Sequence, residues 1–184
     1  MRFKNEVIKN IYKRRSIRDY LPKIVPKKII TELLNAAVMA PSAMNTQPWH
    51  FSIISGLSNV KHFSELCYKE YSLIGKLIWH GFRLSVESIF YNAPLLIIIS
   101  GKKGYKWLKD DTNLAVENMF LAAKSLGIGS CWIGFGMELN NSIVARKELS
   151  MPNNFEISAV LIFGYPKKEK KIIPKRTPKI LKWI

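Results

Sequence analysis

Residues 112–126 constrain this chain more than any other segment. Leu114, Ala115, Val116, Met119, Phe120, Leu121, Ala122, Ala123 and Leu126 put apolar groups on nearly every side of a helix. Asp111 or Thr112 is placed to cap its start and Gly127 to end it. A helix that is apolar all round must be buried on all sides. In a chain of 184 residues, a helical core shared between two copies is one natural way to bury it.

The remaining sequence alternates helical and strand patterns. Ile29, Ile30, Leu33, Leu34, Ala37 and Val38 recur at three- and four-residue spacing, which predicts an amphipathic helix over 26–39 with Pro26 in its first turn. Pro41 and Pro48 bracket a segment that cannot be regular helix. Strand-like runs follow at 49–55, closed by Gly56, and at 94–100, 128–135 and 157–163. Four such strands among about six helices, with no linker long enough to separate two domains, predict one α+β domain over 1–184. Residues 166–184 hold eight basic residues, one Glu and three prolines, and read as an arm lying on another surface.

Charge and motif content exclude several classes. Lys and Arg total 29 against 13 Asp and Glu, a net charge of +16, so the surface favours anions such as phosphate groups. The longest apolar run, Ala93 to Ile99, is far shorter than the ~20 residues a spanning helix needs. No signal-peptide pattern opens the sequence, and two cysteines fit a reducing compartment, so a cytoplasmic location is expected. His50, His62 and His80 lack the spacing of a zinc site, and Cys67 and Cys131 form no C-x-x-C pair. There is no G-x-S-x-G elbow and no phosphate loop ending in Lys-Ser or Lys-Thr. G-x-G-x-x-G fails because position 132 is Trp. With no strong side-chain nucleophile, a bound cofactor is the expected carrier of any chemistry.

Three segments place polar groups in apolar surroundings. Arg14-Arg15-Ser16-Ile17-Arg18 sets three guanidinium groups and a hydroxyl where they could grip a phosphate, although alone it reads better as a solvated basic turn. Pro41-Ser42-Ala43-Met44-Asn45-Thr46-Gln47-Pro48 presents two side-chain amides on a backbone held by prolines, which suits a heterocycle with donors and acceptors on its edge. Gly127 to Gly134 ends the buried helix and feeds a short strand. There Trp132 and Ile133 could pack on a flat ring, and Gly134 could approach it without a side chain. Alone, that last stretch reads as a helix stop and a core strand.

In this order the three segments resemble the flavin-dependent nitroreductase family, with its R-R-S-x-R, A-P-S-x-x-N-x-Q-P-W and G-x-G-x-x-W-I-G patterns. Leu161-Ile162-Phe163-Gly164-Tyr165-Pro166 matches the family's terminal strand, and a basic tail with Trp183 follows. The resemblance spans about Ile11 to Trp183. It implies a central, mostly antiparallel sheet of about four to five strands flanked by helices, in an intertwined homodimer holding FMN at its interface, with the arm packing on the partner. Arg14 and Ser16 would bind the FMN phosphate with Arg15 beside them, and Arg18 would lie near the pyrimidine edge of the flavin. Pro41, Ser42, Met44 and Asn45 would come from the other subunit, with Gln47 supporting their loop. Trp132, Ile133 and Gly134 would line the ring, the Gly134 N–H facing flavin N5. Lys175 or Arg176 would complete the phosphate grip.

The implied activity is reduction of nitroaromatics, quinones or related acceptors by NADH or NADPH, in a ping-pong cycle through flavin N5. A cation at Arg18 would stabilise negative charge near N1 and the C2 carbonyl. Two other readings remain. The charge alone would suit a nucleic-acid-binding protein, which the scattered positive residues and the absence of a recognition motif disfavour. A flavin-binding relative without turnover is the other. No metal and no membrane partner is expected.

Overall fold

A computed structural model describes residues 5–83, 88–168 and 172–184. Its frame is one four-stranded sheet in the order β1-β2-β4-β3: β1 His50–Ser55, β2 Leu95–Lys102, β3 Gly129–Trp132 and β4 Phe155–Gly164. Every adjacent pair is antiparallel; Ile53 faces Ile97, Ile97 faces Leu161, and Leu161 faces Trp132. The central strands are the most apolar ones because both their faces are covered. Alternate residues divide the core in two. Leu96, Ile98, Val160 and Ile162 join Val60, Phe63 and Leu66 of α3 (Leu57–Lys69) on one face. Leu95, Ile97, Ile99, Leu161 and Phe163 join Leu33 of α2 (Lys27–Val38) and Met119 of α5 (Leu108–Ser125) on the other.

Three short helices complete the architecture: α1 (Glu6–Lys13), α4 (Leu73–Arg83) and α6 (Ile143–Glu148). Asn5 caps α1 by accepting from the Val7 and Ile8 N–H groups, yet α1 has no buried residue. A 3₁₀ turn over Gly134–Asn140 follows β3 and packs against α3 and α6.

The helix expected over 26–39 is α2, with Pro26 just outside it as the N-cap residue. The apolar helix begins earlier than the sequence pattern, at Leu108. Lys109, Asp110 and Asp111 hide its first turn, and Asp111 serves another element instead of capping. Its end is as expected. Gly127 takes a φ of +74°, and the N–H groups of Ile128 and Gly127 reach the carbonyls of Ala123 and Lys124. That pair of bonds is a Schellman stop, which favours glycine at the left-handed position. Burial on all sides is not met within one protomer, where Leu114 and Leu126 stay exposed. The run at 128–135 is cut short as a strand because residues from Gly134 onward enter the 3₁₀ turn.

Candidate functional site

The Arg-Arg-Ser segment is held by the sheet. The Ile17 N–H donates to the Ser130 carbonyl at 2.9 Å, making a parallel bridge between Ser16 and Ser130. Ile17 is buried against β3, and this close approach requires glycine at 129. A Cβ there would lie 2.9 Å from three atoms of Ile17. Tyr20 locks the segment from below, its buried hydroxyl donating to the Ile17 carbonyl at 2.5 Å. Beside the buried Ile17, Arg15 and Ser16 are half-buried and Arg18 is exposed.

The structure divides these cations among three recesses. The first has a volume of about 310 Å³, with Lys13, Arg14, Arg15, Lys124 and Ser130 on its walls. Arg14 is committed in part: its Nε meets Glu117 Oε1 at 3.1 Å, and its guanidinium lies over the Phe120 ring. Arg15 is less satisfied. Its Nε donates to the Ile172 carbonyl at 3.1 Å and its Nη1 to the Arg14 carbonyl. Its Nη2 is buried with no hydrogen-bond partner among the described residues. Burial, then Arg176 and Arg14, lower the Arg15 pKa, so this cluster is short of negative charge. Of the two tail candidates, Arg176 shares a second, 310 Å³ recess with Arg15, Tyr12 and Pro174, whereas Lys175 lines neither.

The third space is a larger cavity of about 690 Å³. Trp132, Ile133 and Gly134 supply one wall at the end of β3, and Arg18 another. The Arg18 guanidinium stands 5.8 Å from the centre of the Tyr91 ring, a cation–π contact. A Cβ on Gly134 would meet no atom within 4 Å, so it would project into open space. Neither packing nor a positive φ demands glycine there. Arg15 and Arg18 are about 10 Å apart along extended chain, a spacing suited to an anionic group joined by a short chain to a flat ring.

Tyr71, Phe135, Glu70 and Glu138 also line this cavity, and the sequence reading did not find them. They belong to a loop and to the 3₁₀ turn, brought together only by packing of α3, so no periodicity marks them. Cys67 Sγ (at 3.3 Å) and the Tyr71 hydroxyl both donate to the Phe135 carbonyl, tying α3 to the turn. Burial, aided by Glu138, pushes the Cys67 thiol up to about 12 and raises the Tyr71 phenol. Ser130 was missed too; a lone buried hydroxyl in an apolar strand was its one signal.

The proline-bracketed loop stands apart. It contains a 3₁₀ turn over Ala43–Asn45, with φ of 50°, 53° and 46° at Met44, Asn45 and Gln47. Left-handed backbone at non-glycine residues persists only where neighbours enforce it. Here the buried Asp111 carboxylate accepts the Ala43 N–H at 3.0 Å, and Ser42 Oγ accepts the Gln47 N–H at 2.9 Å. Thr46 Oγ1 and the Tyr105 hydroxyl share a hydrogen bond at 2.6 Å, and Gln47 Nε2 donates to Asn45 Oδ1. Pro41 and Met44 are exposed. None of these five loop candidates lines any of the three recesses. Asp111 lies in the first turn of α5 and Lys124 in its last, so about 20 Å of helix separates loop from cationic recess.

Among the described residues no group of His, Cys, Asp and Glu could hold a metal ion, and no helix is long and apolar enough to cross a membrane. The model of the nitroreductase family matches residues 11–165. A protein of Archaeoglobus fulgidus with the provisional name NADH dehydrogenase/NAD(P)H nitroreductase is 34% identical over 170 residues, covering 90% of this chain and 88% of its own. A crystal structure of a Bacteroides fragilis nitroreductase with bound FMN superposes with a TM-score of 0.79 at 30% identity, covering 98% of both chains. A Desulfitobacterium hafniense nitroreductase with bound FMN reaches a TM-score of 0.85 at 20% identity, over 99% of this chain and 100% of its own; that likeness shows the fold.

Proposed function

The chain belongs to the nitroreductase family, and from that premise we propose that it is an FMN-dependent NAD(P)H oxidoreductase working as a homodimer. The observation that carries the cofactor is the cationic recess, where Arg15 Nη2 is buried unpaired beside Arg14, with Arg176 close by. A phosphate of charge near −2 supplies what that cluster lacks, through the planar fork of donors that arginine offers. Arg14, Arg15, Ser16 and Arg176 would hold it. The open side of Gly134 and the flat apolar wall of Trp132 and Ile133 suit a ring. The same family and fold in the FMN-bound Bacteroides fragilis structure support this assignment.

Bound FMN would supply the redox chemistry, hydride exchange at N5 between NADH or NADPH and a nitroaromatic, quinone or related acceptor in an alternating cycle. The chain's own residues prepare that exchange. Arg18 offers positive charge to the pyrimidine edge, where negative charge collects. Trp132 and Ile133 exclude water from the ring. The Tyr71 hydroxyl is committed to the Phe135 carbonyl, and solvent would supply the protons. None of Pro41, Ser42, Met44, Asn45 and Gln47 lines the cavity of its own chain. A second copy would bring its loop over the ring, and the exposed arm from Ile172 would lie along that copy.

The test begins with the visible absorbance of purified protein and identification of the chromophore after its release. A colourless protein that takes up no FMN on titration overturns the proposal. Oxidation of NADH or NADPH with a quinone acceptor then separates an enzyme from a protein that only binds flavin, and parallel double-reciprocal plots are the expected sign of the alternating cycle.

A further inference from the structure

The walls of the larger cavity run against the charge of the molecule. The chain carries a net +16, yet among the described residues two carboxylates, Glu70 and Glu138, face this space against one cation, Arg18. Lys76, one turn along α4 from Ser72, points elsewhere: its Nζ stands 5.3 Å from the centre of the Tyr68 ring. Glu138 is fixed in place, accepting from Asn141 Nδ2 at 2.9 Å. Glu70 closes the end of α3, its N–H donating to the Cys67 carbonyl. The Tyr71 and Phe135 rings, 5.9 Å apart and tilted by 43°, add an aromatic wall to the same cavity.

On the flavin reading Arg18 is matched by the pyrimidine edge of the cofactor. The charge left to meet an acceptor is then negative. From this we infer that the cavity selects flat aromatic acceptors that are cationic or neutral and turns away anionic ones such as aryl carboxylates, with Glu70 and Glu138 as the specificity-determining residues. The inference rests on the FMN reading and adds the class of acceptor to it. It uses ordinary electrostatics: like charges a few ångströms apart in a partly desolvated cavity repel far more strongly than in water.

Benzamidine, benzamide and benzoate test it, being nearly isosteric, planar, differently charged and inert to hydride. Each is titrated into FMN-loaded protein while the flavin absorbance band is followed. Loading is checked first, so a yellow protein with the wrong order of affinity sinks the charge selection alone, while a protein that takes up no FMN sinks both. Benzamidine should bind at least ~10-fold more tightly than benzoate at low ionic strength, with benzamide between them. Raising salt should narrow that ratio. Glu70→Gln with Glu138→Gln should bring it to within about threefold, each single variant giving part of the change. The salt series on the unaltered protein stands if the double variant fails to fold. Benzoate binding as tightly as benzamidine, a ratio insensitive to salt, a ratio unchanged in folded variants, or no binding by any of the three overturns the inference.

Discussion

At the scale of single residues, two glycines five positions apart separate folding from ligand binding. Gly129 lets Ile17 lie against β3, and a Cβ there would collide with three atoms of that side chain. Overpacking of this kind costs about 1–3 kcal/mol, so Gly129→Ala should lower the midpoint of urea unfolding and loosen the segment that carries Arg15 and Arg18. Gly134 meets nothing within 4 Å. Gly134→Val should leave the unfolding midpoint nearly unchanged while FMN affinity falls by about tenfold or more, as the isopropyl group takes space that the ring would use. Equal affinity in Gly134→Val would place the ring elsewhere. Asp111 belongs beside them. Removing its carboxylate leaves the Ala43 N–H without its acceptor, and a buried unsatisfied donor costs about 1–3 kcal/mol. Asp111→Ala should show that loss in chemical denaturation, and Asp111→Asn, which keeps an acceptor oxygen, should recover most of it.

Between elements, the clearest coupling runs from α3 to the 3₁₀ turn through the Phe135 carbonyl. The buried Cys67 thiol is pushed from about 9.0 up to about 12 and the Tyr71 phenol is raised as well. In both cases the folded chain holds its proton at a pH where the unfolded chain releases it. The stability they contribute is therefore complete below about pH 9 and is lost as pH rises towards 12. Unfolding followed across that window should show stability falling steadily, and Cys67→Ala should flatten the fall. This junction also shows where sequence reading stops. The strands were legible because each is a short apolar run between turn residues, and α2 because its apolar residues keep a helical period. The start of α5 was not, since Lys109, Asp110 and Asp111 look like a loop until Asp111 is seen accepting a hydrogen bond from Ala43. The Arg14–Arg18, Pro41–Pro48 and Trp132–Gly134 segments were legible as patterns of residue type, but their division between a cationic recess, a cavity and a distant loop was not. The walls built by Glu70, Tyr71, Phe135 and Glu138 depend on how α3 meets the turn, and no local spacing encodes that meeting.

For the molecule as a whole, several apolar pieces of the chain are left exposed. The helix α1 buries none of its residues. Leu114 of α5 is exposed in the middle of a helix otherwise packed on the sheet, and Leu181, Trp183 and Ile184 of the arm stand almost wholly in solvent. Burying one such side chain stabilises by roughly 1.5–3 kcal/mol, which offsets part of the cost of ordering the arm, about 1–2 kcal/mol per residue. The loop of residues 41–48 and the cationic recess sit at opposite ends of α5, about 20 Å apart, so one ligand can touch both sets only where two copies meet. Sedimentation equilibrium should accordingly give twice the 21.2 kDa mass of the chain. Deleting residues 172–184 removes the arm and Arg176 together, whereas Arg176→Ala removes the cation alone. The deletion should shift the protein towards monomer and abolish FMN uptake. Arg176→Ala should stay dimeric and bind FMN about tenfold more weakly, as expected for one charge-assisted contact to a phosphate. A truncated chain that remains dimeric would show that the arm contributes nothing to the interface, and an intact monomer that still binds FMN tightly would show that the loop has no part in the site.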